Sequence, residues 1–311
     1  MTQLHFFKSP KAWLYALWKF SRPHTVIGTS LSVWGLFAIA WASTPELSGV
    51  GLLPPPLWAW LACLGGNVYI VGLNQIEDIA IDRINKPHLP LASGEFSRRQ
   101  GFRIVAFCGA LAIAVALSQG PFLLATVGIS LLIGTAYSLP PIRLKRFPFW
   151  ASFCILAVRG AVVNLGLYLH YGDRFNLGLA VPARVWALTL FILVFSFAIA
   201  IFKDIPDIEG DRRYNITTFT VQLGQKAVFD LARWVLTLCY GGLILAGPLL
   251  NQVNGWFLSL THLAAIALFW FLSWRVVWPG RSTGMSYPDF YQFIWKLFFV
   301  EYLLFPLACW L

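Results

Sequence analysis

The segment LWAWLACLGGNVYIVGLNQIEDIAID, residues 57–82, decides the architecture. Its first part, Leu57 to Leu73, is apolar over a length that can cross a bilayer. It runs directly into Asn74, Asp78 and Asp82, which recur every four residues and so stack along one face of a helix. Ionisable groups at membrane depth are costly, and their default reading is functional. The rest of the chain is expected to be the bundle that holds this face.

Composition supports that expectation. The 311 residues are 58% hydrophobic and only 12% charged, with a mean hydropathy of +0.69. Soluble domains carry about 25% charged residues. Apolar stretches of spanning length fall at 24–43, 57–75, 102–118, 121–138, 149–171, 185–203, 228–249, 255–278 and 289–311. An all-α, polytopic membrane bundle of nine transmembrane helices follows. It is preceded by residues 9–22, where Trp13, Leu14, Leu17 and Trp18 lie beside Lys11 and Lys19 as in an interfacial amphipathic helix. Residues 1–311 are read as a single domain, with 1–23 as its cytoplasmic or interfacial N-terminal segment.

Charge fixes the orientation. Of 23 Lys and Arg, only Arg174 and Arg184 fall on one side and Arg159 inside the fifth span, which leaves 20 on the other side. That asymmetry predicts a cytoplasmic N-terminus and an outer C-terminus. It also explains the net charge of +10 without nucleic acid, because the bases sit in short loops between spans. The five cysteines lie singly in apolar segments and read as small buried hydrophobes. The first 22 residues match neither a signal peptide nor a transit peptide, which favours a bacterial protein or a processed mature chain.

A second acidic set, Asp204, Asp207 and Asp211, follows the sixth span and so lies on the same side as the first. Its spacing of three and four again suggests one helical face. Carboxylates a few Å apart repel unless cations stand between them. Mg²⁺ takes oxygen ligands and is usually shared between carboxylates and substrate phosphates. Arg143, Lys145, Lys203, Arg212 and Arg213, in loops on the same side, can balance phosphate oxygens. An acid–Mg²⁺–diphosphate layer at the mouth of an apolar bundle suits a prenyl diphosphate, its chain among the helices. Glu77 drops out because it lies off the 74–78–82 line.

Asn74-x3-Asp78-x3-Asp82 followed by Lys86-Pro87, together with the 204–211 set, resembles the UbiA superfamily of intramembrane aromatic prenyltransferases over nearly the whole chain. Phe20-Ser-Arg-Pro-His-Thr25, Asn85-Lys-Pro-His-Leu-Pro-Leu-Ala-Ser-Gly94, Ala136-Tyr-Ser-Leu-Pro-Pro-Ile-Arg-Leu-Lys145, Val158-Arg-Gly160 and Phe290-Tyr-Gln-Phe-Ile-Trp-Lys296 are similar to its homogentisate-prenylating branch, cyanobacterial members above all. Leu89 stands where many superfamily members carry Arg, a mark shared with that branch. The resemblance implies Mg²⁺-dependent transfer from phytyl diphosphate to homogentisate, with decarboxylation, in a plasma or thylakoid membrane. It implies Asn74, Asp78 and Asp82 on one metal–diphosphate face and Asp204, Asp207 and Asp211 on the other. Arg143 and Lys145 would steady the diphosphate, with Lys203 and Tyr137 in the substrate site. Arg22, His24 and Arg159 are candidates to meet the acceptor carboxylate.

Two alternatives stand beside this reading. Another donor or acceptor is possible: solanesyl or geranylgeranyl diphosphate, 4-hydroxybenzoate or a chlorophyllide. Of a different class, a cation-coupled transporter could use the acids as ion sites, although such sites usually lie at the bilayer midplane rather than at helix ends.

Overall fold

The computed structural model describes residues 3, 4, 6, 8–44, 54–277 and 284–311. Among these, nine helices are long and apolar enough to cross a membrane: Pro23–Trp41, Pro54–Glu77, Arg98–Ser118, Pro121–Ser138, Pro148–Arg174, Ala183–Lys203, Gln225–Leu249, Gly255–Trp274 and Tyr287–Trp310. They are called spans one to nine below. Trp278, the expected end of span eight, lies outside the described residues, as does Arg281. The only strands among the described residues are Val276–Val277 and Met285–Ser286, paired in parallel.

Proline sets many of the starts. Spans one, two, four and five begin on Pro23, Pro54, Pro121 and Pro148, where the missing N–H costs nothing and the fixed φ favours the first turn. Span three begins instead with a capping box. The Ser97 hydroxyl accepts from Gln100 N–H, while the Ser97 N–H donates back to the Gln100 side chain at 2.8 Å. Spans two and three then cross with their backbones close. A Cβ on Gly65 would lie 2.9 Å from the Cys108 carbonyl, so only glycine permits this approach.

The N-terminal helix, Pro10–Phe20, buries Ala16 and Phe20 against Phe96 and leaves Leu14, Tyr15 and Trp18 exposed. Apolar side chains exposed on a helix beside a membrane bundle fit the interfacial expectation.

The two ends of the bundle differ in chemistry. At one end Arg184 donates to Ser43 Oγ (2.6 Å) and to the Gln252 carbonyl (3.2 Å), and Arg174 donates to the Gln119 carbonyl. Asn254 N–H bonds the Ala308 carbonyl at 2.7 Å, bringing the C-terminus to that same end. These are the loops that charge placed opposite the N-terminus. The acid sets occupy the other end, where spans two and six stop.

Spans eight and nine share a fully buried ion pair. His262 Nε2 meets Glu301 Oε2 at 2.8 Å while Nδ1 bonds the Leu258 carbonyl at 2.7 Å. Leu258 O can only accept, so Nδ1 carries a proton and the pair as a whole is charge-neutral with one more proton between the side chains. Its role is to satisfy two polar groups inside the bundle, in keeping with a structural histidine.

Candidate functional site

Each acid set sits where a spanning helix is interrupted, and each interruption has its own cause. Span two stops at Glu77. Asp78 takes φ −109° and ψ 16°, and a short helix, Ile79–Asn85, follows at once. Backbone bonds Asp78 N–H to Asn74 O and Asp82 N–H to Asp78 O keep the four-residue spacing. Asn74, Asp78 and Asp82 therefore share a wall, as their spacing predicts.

The second set departs from expectation. Span six ends at Lys203, residues 204–207 turn, and a new helix covers Ile208–Arg213. Asp204, Asp207 and Asp211 are thus not on one continuous helical face. Pro206 is the reason: it has no N–H to donate to Phe202 and its ring opposes the α conformation of the residue before it. The turn nonetheless leaves all three carboxylates around one cavity.

That cavity, of about 70 Å³, is lined by Asn74, Asp78, Asp82, Asp204, Asp207 and Asp211 together with Arg22, Lys86, Tyr137, Lys145 and Lys203. Arg143 reaches it from behind. Its Nη2 donates to Asp78 Oδ1 at 3.0 Å, while Lys145 donates to Asp78 Oδ2. Lys203 pairs with Asp204 at 3.2 Å, and Lys86 pairs with Asp207 across the gap between the two sets. Asn85 adds a polar clamp. Its Nδ2 donates to the Asp207 carbonyl (3.1 Å) and its Oδ1 accepts from Gly210 N–H (3.0 Å). Arg212 and Arg213, expected to serve phosphate, are exposed and do not line the cavity.

Lys86 and Asn85 carried no role in the sequence reading beyond membership of a motif. The signal that could have found them is the run Asn85-Lys86-Pro87, one turn beyond Asp82, in which Pro87 ends the helix. Arg22, which lines the cavity, and Arg143, behind Asp78, both hold left-handed backbone angles (φ 54° and 40°), which cost non-glycine residues energy.

Electrostatics mark the site. Burial, followed by Asp204 and Asp207, pushes the Asp211 carboxyl up to about 7. Burial pushes Asp82 up to about 6, with Asp78 and Asp207 adding to the rise and Arg22 and Lys86 opposing it. Asp204 is raised by burial as well, against the pull of Lys203. Burial lowers Lys145, and Asp78 resists that. Asp82 Oδ2 is buried with no hydrogen-bond partner. The arrangement holds more carboxylate than its bases satisfy.

A larger cavity of about 710 Å³ continues from the first into the bundle and shares Arg22, Asn74, Asn85, Lys86, Tyr137, Lys203 and Asp207 with it. Its deeper walls include Ile70, Val127, Ile133, Val158 and Phe298. His24 and Arg159 line this cavity and not the acidic one. The site is therefore a charged mouth opening on an apolar chamber.

A family model for the UbiA prenyltransferase family matches residues 29–297. The chain belongs to this family. It is 53% identical over 310 residues to a homogentisate phytyltransferase of Synechocystis sp., covering 96% of this chain and 97% of that protein. A chloroplastic homogentisate phytyltransferase 1 of Arabidopsis thaliana is 40% identical over 304 residues, covering 96% of this chain and 76% of that protein. A solved structure of a UbiA homolog from Archaeoglobus fulgidus, bound to DMAPP and Mg²⁺, superposes with a TM-score of 0.66 at 16% identity, covering 94% of this chain and 99% of that one. The nine-span, all-helical UbiA-like fold, the multi-pass membrane setting and the aromatic prenyltransferase class are thereby shown.

Proposed function

We propose that this protein transfers the phytyl group of phytyl diphosphate to homogentisate, releasing CO₂ and diphosphate and giving 2-methyl-6-phytylbenzoquinol. The observation that carries this reading is the charged mouth opening directly on the apolar chamber. The mouth suits a diphosphate and the chamber suits a long prenyl chain. In the reaction the allylic C–O bond breaks, its electron pair leaving with the diphosphate, and a bond forms to a ring carbon of the acceptor. The proton lost from that carbon is balanced by the one gained at the side-chain carbon when CO₂ departs.

Mg²⁺ fits the residues present. All donors are oxygens, Asp82 Oδ2 is unpartnered, and the Asp82 and Asp211 carboxyls are raised by burial first and by neighbouring carboxylates after it. Asn74, Asp78 and Asp82 would hold the ion on one side and Asp204, Asp207 and Asp211 on the other. Bound there, Mg²⁺ supplies Lewis-acid stabilisation of the departing diphosphate. Lys145, Arg143, Lys86 and Lys203, which pair with the carboxylates here, are placed to turn to phosphate oxygens. Tyr137 lies at the junction of mouth and chamber, and the apolar walls exclude water from the reacting carbon.

The whole chain, 1–311, is taken to act as one domain, with the mouth facing the cytoplasm of a photosynthetic bacterium. Purified protein in detergent with Mg²⁺, phytyl diphosphate and homogentisate should form the named product. Geranylgeranyl and solanesyl diphosphates, offered in competition, should react more slowly. Product from a different acceptor and none from homogentisate would overturn the assignment.

A further inference from the structure

We propose that Arg159 receives the acceptor's carboxylate, and that Asn164 and Tyr302 are positioning residues that fix it through a π-helical turn. The inference rests on the reading of the acceptor as a carboxylated hydroquinone.

Arg159 lies well inside span five, at a depth where a cation needs a partner. Among the described residues it forms no ion pair. Instead its guanidinium lies over the rings of Trp295 (4.7 Å) and Phe298 (5.2 Å) while facing the chamber. Aromatic faces orient a guanidinium without neutralising it, leaving its hydrogen-bond donors for an anion that arrives from the cavity. The other two candidate bases are differently employed. Arg22 also borders the acidic mouth, where it stabilises the charged form of Asp82. His24 packs its ring against the same Trp295 at 4.6 Å.

The backbone around Arg159 is unusual. Residues Ala157–Val162 form a π-helical turn, with Val163 N–H bonded five residues back to Val158 O. Such turns leave carbonyls without their ordinary partners and concentrate at functional sites. Asn164, fully buried, donates from Nδ2 to Gly160 O (2.7 Å) and Arg159 O (3.3 Å), and its Oδ1 accepts from Tyr302 Oη–H (2.8 Å). A Cβ on Gly160 would lie 2.7 Å from Leu193 Cα, so span six backs the turn from the other side. Span nine therefore carries both the Trp295 and Phe298 rings that hold the guanidinium and, one and two turns on, the hydroxyl that anchors Asn164, through which its backbone is held.

The test is steady-state kinetics on the full chain in detergent, with phytyl diphosphate and homogentisate varied separately. Losing a charge-assisted contact predicts a rise of roughly 10- to 100-fold in the homogentisate KM of R159Q, with the donor KM unchanged. R159K should recover part of that loss, and Y302F should show a several-fold rise in the same KM alone. The variants' preference for homogentisate over its uncharged counterpart methylhydroquinone, read from competitive inhibition, should collapse in R159Q. A homogentisate KM within twofold of wild type in both Arg159 variants overturns the proposal, as do equal rises in both KM values, which would signify general damage. If R159Q does not fold, R159K and Y302F decide by the same split. Failure of the acceptor reading itself looks different: wild-type protein would then make no product from homogentisate.

Discussion

Asp78 and Lys145 offer a way to separate what the acids do for the fold from what they do for chemistry. The Asp78 side chain is 11% exposed and that of Lys145 5%, and Arg143 supports the same carboxylate at 3.0 Å. Replacing Asp78 by Asn leaves the Lys145 ammonium buried without its counter-charge. Breaking a buried pair from one side costs about 3–5 kcal/mol, and the small opening to the cavity puts this case at about 3 kcal/mol. K145M should cost less, about 1–2 kcal/mol, because Arg143 still satisfies Asp78. In D78N/K145M the Lys145 charge is gone and only Arg143, whose side chain is 16% exposed, is left without its carboxylate, so the double variant should lose clearly less than the sum, with a coupling energy of about 2 kcal/mol. Turnover should behave otherwise. D78N and the double variant should both lose at least about 100-fold in kcat/KM, since restoring packing does not restore an oxygen ligand. Thermal melts in detergent and product formation from the same preparations give both readouts. Strict additivity of the two stabilities would refute the pairing, and near-normal turnover in the refolded double variant would refute the role of Asp78.

Four further outcomes follow from the site and the core. Asp211 and Asp82 should lose their protons only near pH 7 and 6, so the Mg²⁺ concentration for half-maximal rate should rise about 20-fold from pH 8 to pH 6. In metal-free protein the sign reverses: the folded state holds protons that the unfolded state releases, so stability falls as pH rises through that window, which melts across pH 5–8 would show. N85A, which removes the clamp on Asp207 and Gly210, should raise the KM for phytyl diphosphate about tenfold with little change for homogentisate, measurable by varying each substrate. H262A should lower stability by about 3 kcal/mol by stranding Glu301, while the KM values of detergent-stable protein stay as in wild type.

The nine spans, and which loops share an end of the bundle, were legible because hydrocarbon thickness imposes a length and loop charge sorts the ends; nothing tertiary was needed. The first acid set was legible for a related reason, since a period of four survives the small break at Asp78. The second was read correctly as a cluster and wrongly as a face. Pro206 carried the warning, but spacing alone does not show a chain leaving a helix and returning its side chains to the same space. The pairing of Lys86 with Asp207 and the Asn85 clamp join segments 121 or more residues apart, a relation no local pattern encodes. Arg159 was visible as an intramembrane base. Its π-helical turn was not, because an extra residue in a helical turn leaves no mark in composition, and its support by Asn164 and Tyr302 arises only when spans five and nine meet.

Arg22 stands at the rim with a backbone angle that glycine would adopt without strain. A glycine there would relieve the backbone and, at the same time, strip a cation from the mouth. Selection for heat resistance alone should therefore draw this position toward glycine or asparagine and away from arginine. The arginine then acts as a gauge: variants that keep it are under demand from substrate, and variants that shed it have been released from it.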